Sequence, residues 1–148
     1  MAAVAVLTPS VMPRYDSLKD DGPSHCPPSV RILLERARQG LLDAEYAAHP
    51  VDRYAQAHRA ALRAAAAVLA ARARPRSRAR PISAWALLAT VAPELSEWST
   101  FFATTSATWA AAEAGAHRLV THRDADDLVR QAGEFLTLAS VAAARTSR

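Results

Sequence analysis

Residues 53–73 read RYAQAHRAALRAAAAVLAARA, and this stretch decides the fold. Alanine has the highest intrinsic helix propensity, and no proline or glycine interrupts the segment. Apolar residues recur in it at the spacing of one helix face. They are Tyr54, Ala57, Ala61, Leu62, Ala65, Val68 and Leu69. Side chains this small let a neighbouring helix approach closely, so we expect a long, buried helix in an all-α protein.

The segment before this helix predicts another helix. Ser29 follows two prolines and is suited to cap a helix that ends near Ala48. The His49-Pro50 pair then breaks the chain, and either Pro50 or Asp52 opens the long helix. The two helices therefore form a hairpin.

The second half of the chain predicts further helices. Ser83 is suited to cap a third helix, which Pro93 kinks or restarts. Gly115 fits the position just after a helix end. Thr121 and Asp124 form a capping-box pattern at the start of the last helix. We therefore expect a four- to five-helix up-and-down bundle over residues 29–144, preceded by a disordered, proline-rich tail over residues 1–28.

Composition excludes several kinds of protein. Cys26 is the only cysteine, which rules out a disulfide framework and a cysteine-rich metal site. His117, His122 and Asp126 match no metal-ligand spacing, and no glycine-rich phosphate loop occurs, so we expect no cofactor. No uncharged apolar run is long enough to span a membrane, and we expect a cytoplasmic protein.

Four segments together resemble one known family. They are LLERARQGLLDAE (residues 33–45), DRYAQAHRAALRAAAAVLAARARP (52–75), WALLATVAPELSEWSTFF (85–102) and DADDLVRQAGEFL (124–136). In order and wording they resemble the HEPN superfamily, and more narrowly the small HEPN proteins of high-GC Gram-positive bacteria. The resemblance implies a dimerising helical bundle that often binds or cleaves RNA.

Active members of that superfamily are metal-independent ribonucleases with an R-x4-6-H motif near the last helix. The resemblance implies that the histidine performs acid–base chemistry and that the arginine stabilises phosphate charge. Arg53 and His58 have this spacing but lie at the start of the second helix. Five residues turn a helix by about 140° beyond one full turn, so the two side chains diverge. We expect Arg53 to be solvated and His58 to be half-buried or paired with another helix.

The motif's usual place, just ahead of the last helix, holds HRLVTH (residues 117–122). Arg118 and His122 are separated by three residues, one fewer than the motif requires. They are the candidate catalytic pair of a divergent endoribonuclease. The alternative is that this segment is a non-catalytic connector, in which Leu119 and Val120 are buried in the core and Arg118 and His122 are exposed to solvent.

Two further sets of residues are candidates for binding. An arginine-rich loop can contact phosphates, although it lacks an aromatic residue to stack on bases. Its arginines are Arg72, Arg74, Arg76, Arg78 and Arg80. An aromatic stripe on the third helix is a candidate dimer interface. It comprises Trp98, Phe101, Phe102 and Trp109.

These features leave three hypotheses for function. The first is a non-catalytic HEPN module that associates with RNA or a nucleotide, or with a protein, as a homodimer. The second is a toxin-like endoribonuclease that uses Arg118 and His122. The third is a structural partner that docks onto another protein through the aromatic stripe. The net charge of +4 favours polyanions but is modest for a dedicated nucleic-acid binder.

Overall fold

The computed structural model describes residues 26–72 and 83–145, which form five α-helices and no strand. The helices are α1 (Pro28–Tyr46), α2 (Pro50–Arg72), α3 (Ala84–Val91), α4 (Ser96–Glu113) and α5 (His122–Ala144). Short 3₁₀ turns at Pro93–Leu95 and His117–Leu119 precede α4 and α5. The all-α prediction is confirmed. Residues 1–25 of the predicted tail lie outside the part of the chain that the structure describes.

The start of α1 corrects the predicted cap. Pro27 occupies the N-cap position, Pro28 is the first helical residue, and Ser29 lies inside the helix. Proline suits the first helical position because its missing N–H would have no partner there. The helix also ends at Tyr46, before the predicted Ala48, because Ala47 is already extended, with φ −68° and ψ 133°.

Contacts between the helices establish the up-and-down order. Arg53 near the start of α2 donates to the carbonyl of Glu45 at the end of α1, and Gly40, earlier in α1, lies against Ala60, later in α2, so the two helices run antiparallel. Thr105 of α4 contacts His58 early in α2, whereas Glu94, just before α4, contacts Arg72 at the end of α2. Helix α4 is therefore also antiparallel to α2.

The two helices α2 and α5 run parallel through the centre of the bundle. Arg53 contacts Asp126 near the start of α5, and Arg72 contacts Ala142 near its end. Alanine lines the contact from both sides, which allows the close approach expected from the sequence. The fully or almost fully buried alanines include Ala57, Ala60, Ala61, Ala64, Ala65, Ala67, Ala132 and Ala139.

The predicted break and caps in the second half of the chain are confirmed. Ser83 caps α3 by accepting a hydrogen bond from the backbone N–H of Ala86 at 3.1 Å. The helix ends before Pro93, and α4 follows a single 3₁₀ turn. Gly115 follows α4 with φ +120°, a conformation that favours glycine. Thr121 and Asp124 form the capping box that begins α5.

Candidate functional site

His58, the histidine with the nuclease-like spacing, lies in the core with 1% of its surface exposed. It projects from α2 into a cluster of aromatic rings between α2 and the α3–α4 unit. Its ring stacks on Trp109 with 5.6 Å between centroids, and the rings of Trp85 and Phe102 lie at 6.1 and 6.4 Å. The side chain is buried completely rather than by half, and it pairs with a neighbouring helix as expected.

Both ring nitrogens of His58 have partners on α4. Nε2 lies 2.9 Å from Ser106 Oγ, and Nδ1 lies 3.3 Å from Thr105 Oγ1. The Thr105 hydroxyl donates its proton to the carbonyl of Phe102 at 2.9 Å, so its oxygen accepts from the Nδ1–H of His58. Ser106 then donates to Nε2. This network assigns a neutral imidazole with its proton on Nδ1.

The environment keeps this imidazole neutral. Burial, with a smaller contribution from the positive charge of Arg59, lowers the pKa of His58 from 6.5 to about 4. A buried imidazole with both nitrogens occupied has no free atom with which to exchange a proton with a substrate. The arrangement therefore gives His58 a structural part in joining α2 to α4.

Arg53, the other member of the pair, points away from His58 and holds three helices together. Its Nη1 donates to the carbonyl of Glu45 at 3.0 Å, and its Nε lies 2.9 Å from Asp126 Oδ1 on α5. The Nε–H is not aligned with the carboxylate, so this second contact is an ion pair rather than a directed hydrogen bond. The expectation of a solvated Arg53 is wrong, because Glu45 of α1 and Asp126 of α5 supply its partners.

The second candidate pair lies on the connector before α5. Arg118 is in the 3₁₀ turn His117–Leu119, and His122 is the first residue of α5. Both are exposed, and within the described residues neither side chain has a hydrogen bond or an ion pair. Val120 is buried, as expected of a residue that plugs the core, but Leu119 is 53% exposed. No described neighbour holds Arg118 or His122 in a catalytic geometry.

The groove beside this connector carries negative charge. It has a volume of about 320 Å³ and runs between α4 and α5, with Leu119 on its edge and Asp124 and Asp127 among its walls. Tyr54 lines it from α2, and burial, opposed by a hydrogen bond with Thr108 and assisted by the Asp124 charge, raises the pKa of its phenol. Carboxylates in this position repel a phosphodiester. The described residues that line this groove include no arginine, lysine or histidine.

Arg72, the first of the predicted phosphate contacts, is engaged within the protein. Its Nε and Nη2 both donate to the carbonyl of Ala142, at 3.2 and 3.1 Å, and its Nη1 lies 2.6 Å from Glu94 Oε1. Only 17% of the side chain is exposed. Arg72 thus ties the end of α2 to α5 and to the turn before α4. Arg74, Arg76, Arg78 and Arg80 lie outside the described residues.

The predicted aromatic interface separates into core and surface residues. Phe102 is fully buried and stacks on Trp85 with 4.9 Å between centroids. Trp98, Phe101 and Trp109 are only partly buried, and they pack against the core from its edge. These three rings are the members of the stripe that retain surface to offer to a partner.

A polar groove between α1 and α2 was not predicted from the sequence. It has a volume of about 380 Å³, and its walls include Gln56, Arg59 and Arg63 of α2 and Asp43 and Tyr46 of α1. The three α2 residues recur at helical spacing on one face. The sequence did not single out Arg59 and Arg63 as a binding site, because Tyr46, the aromatic residue in the same groove, belongs to the preceding helix.

In residues 26–72 and 83–145, no three histidine, cysteine or acidic side chains are grouped so that they could hold a metal ion. The same part of the chain contains no helix with the length and apolar character needed to cross a membrane.

The described residues form a bundle of five α-helices. The model of the SAV_6107-like HEPN family matches residues 44–140, which is well over half of the chain and extends from the end of α1 into α5. The chain belongs to this HEPN family, which confirms the resemblance to the HEPN superfamily. No curated protein and no solved structure matches the chain.

Proposed function

We propose that this HEPN-domain protein is a non-catalytic module that associates with RNA. One observation carries the non-catalytic part: His58, which has the nuclease-like spacing to Arg53, is neutral, buried and hydrogen-bonded at both ring nitrogens. The remaining pair, Arg118 and His122, is exposed without supporting contacts in the described part of the chain and stands beside an acidic groove.

The association with RNA is supported by charge and by family. The chain carries a net charge of +4, and almost all of its basic residues are arginines, which make bidentate hydrogen bonds with phosphate. The sequence concentrates four of them in residues 74–80. Membership in the HEPN family is consistent with an RNA partner, since RNA is the ligand that the family resemblance implies.

Salt-dependent binding tests this proposal. The full chain is titrated with a fluorescently labelled single-stranded RNA at several salt concentrations. We expect affinity to fall as salt rises, and a variant with Arg74, Arg76, Arg78 and Arg80 all changed to Gln to bind more weakly with a shallower salt dependence. The exposed Arg31→Gln and Arg145→Gln provide controls that remove charge elsewhere. Absence of binding by the unaltered chain would contradict the proposal.

The homodimer implied by the resemblance is part of the same proposal. The partly buried rings of Trp98, Phe101 and Trp109 form the face on which it would rest, whereas Phe102 serves the core of its own chain. Phe101→Ser is expected to lower the mass measured by light scattering from that of a dimer to that of a monomer. A monomeric unaltered chain would remove the dimer from the proposal.

A further inference from the structure

The groove between α1 and α2 combines three features that single-stranded RNA can use. Gln56, Arg59 and Arg63 line one wall, and α1 forms the other. Arg59 and Arg63 are one helical turn apart, which separates their backbones by about 6 Å along the helix axis. The side chains of both arginines line the same cleft of about 380 Å³.

Gly40 makes room for one of these groups. It lies in the middle of α1, where glycine is less favourable than alanine. A Cβ at this position would lie 3.1 Å from Arg63 Nη1 and 3.3 Å from the Cβ of Ala60. The missing side chain lets α1 and α2 approach at Ala60 and lets the Arg63 guanidinium lie against the α1 backbone. The groove thus holds this cation near its floor.

The two arginines are not neutralised within the groove. In the described part of the chain, Arg63 makes no hydrogen bond or ion pair. Arg59 lies over the Trp109 ring of α4, 5.6 Å from its centroid, and pairs with Glu113 at 3.6 Å. The Arg59 and Glu113 side chains are both about half exposed, and such pairs exchange easily with other partners. Asp43 lies in the groove, yet it accepts a hydrogen bond from Gln39 at 3.1 Å rather than pairing with either arginine. The Arg63 guanidinium is thus available to an external anion, whereas Arg59 would bind one by exchanging its contact with Glu113.

Tyr46 adds an aromatic surface to this charged cleft. It is the last residue of α1, it lines the groove, and it is 86% exposed, more than any other large apolar side chain that the structure describes. An exposed ring beside arginines is the combination by which proteins hold single-stranded nucleic acid, because bases stack on the ring while cations contact the phosphates. Residues 74–80 contain no aromatic residue of their own.

We infer that the α1–α2 groove is a binding surface for single-stranded RNA, with Arg59 and Arg63 on the phosphates and a base stacked on Tyr46. This inference rests on the proposed association with RNA, and it adds a contact surface separate from residues 74–80. Gln56 supplies an amide in the same groove that can donate to a phosphate or pair with a base edge.

The test measures binding of a fluorescein-labelled ten-nucleotide oligouridylate to the full chain by anisotropy at low and moderate salt. The variants are Arg59→Gln/Arg63→Gln and Tyr46→Ala. Each has a matched control: Arg130→Gln removes an exposed arginine from α5, and Leu42→Ala shortens an exposed apolar side chain of α1. Thermal unfolding of every variant shows that it is folded.

We expect the double variant to raise Kd about tenfold and to lower the slope of log K against log salt by about 1.4, the value for two lost phosphate contacts on a single strand. Tyr46→Ala is expected to raise Kd at least about fivefold with an unchanged slope, because stacking releases no counterions. Both controls should bind as the unaltered chain does.

Two different failures can be told apart. If the unaltered chain binds the RNA and both groove variants bind it equally well, this inference is overturned, while the proposed association with RNA stands. If the unaltered chain does not bind RNA at all, the proposed function itself fails, and the inference fails with it.

Discussion

His58 Nε2 and Ser106 Oγ lie 2.9 Å apart across the interface between α2 and α4. Together with the bond from Nδ1 to Thr105, this contact fixes the imidazole in one neutral form inside the aromatic cluster. The residue that gives this sequence its nuclease-like spacing therefore holds the bundle together. A polar ring in such a site is stabilising only while both of its nitrogens are hydrogen-bonded and the ring stays uncharged.

The neutral state of His58 predicts a pH dependence of stability. Its pKa is about 4 in the folded chain and 6.5 when unperturbed, so the unfolded chain binds the proton more readily. The contribution of a neutral His58 is fully present above pH 6.5 and is lost as the pH falls towards about 4. The difference of 2.5 pKa units corresponds to roughly 3 kcal/mol.

Urea unfolding at about pH 7.5 and about pH 4.5 measures this effect against His58→Gln, which cannot titrate. We expect the free energy of unfolding of the unaltered chain to fall by roughly 2–3 kcal/mol more than that of the variant over this range. Equal losses in the two proteins would show that His58 is protonated in the folded state at the lower pH or that it is not buried.

Arg72 is predicted to contribute to stability rather than to RNA binding. Arg72→Gln leaves the carbonyl of Ala142 and the carboxylate of Glu94 without this partner, and we expect a loss of about 2 kcal/mol in the free energy of unfolding. Arg63→Gln removes the same charge from an exposed position and should change stability by less than about 0.5 kcal/mol. Urea denaturation of the two variants measures both values.

RNA affinity distinguishes the two interpretations of Arg72. Because its guanidinium is occupied by internal partners, we expect Arg72→Gln to bind RNA as the unaltered chain does under conditions where both are folded. If Arg72→Gln binds RNA more weakly although its stability is unaltered, Arg72 contacts phosphate, as the sequence suggested.

Two glycines are predicted to respond in opposite directions to the same substitution. Gly115 has φ +120°, and no other atom lies within 4 Å of the place a Cβ would take, so Gly115→Ala is opposed by backbone strain alone, about 1–3 kcal/mol. Gly133 lies within α5, and a Cβ there would meet only Leu41 Cδ1, at 4.0 Å. Gly133→Ala should therefore stabilise the protein by about 0.5–1 kcal/mol.

Chemical denaturation of the two glycine variants checks this pair of expectations. An undiminished stability of Gly115→Ala would mean that the turn after α4 does not require a left-handed backbone. A destabilised Gly133→Ala protein would mean that α1 and α5 lie closer together at Leu41 than 4.0 Å allows.

Local signals made much of the fold predictable. The capping box at Thr121, the Ser83 cap and the glycine after α4 are each specified by residues within four positions of one another. Ser29 failed as a cap because Pro28 can itself begin a helix, so two adjacent local signals competed and the proline prevailed.

The state of the candidate site was not predictable in the same way. The hydroxyl partners of His58 are 47 and 48 positions away, and the carbonyl partner of Arg72 is 70 positions away. The spacing along one helix indicated that the side chains of Arg53 and His58 diverge. It could not indicate which residues of other helices each side chain would contact. Similarly, Tyr46 and Arg63 come together only because the α1–α2 hairpin folds back.

Above all, we propose that the chain holds RNA without cutting it. The most direct measurement is the cleavage of a labelled single-stranded RNA by the purified full chain with a metal chelator present, followed by gel electrophoresis. We predict intact RNA over an incubation in which binding is complete, with no difference between the unaltered chain and His122→Ala. Cleavage by the unaltered chain that is lost in Arg118→Ala and in His122→Ala, but kept in His58→Gln, would contradict the proposal and identify the connector before α5 as an active site.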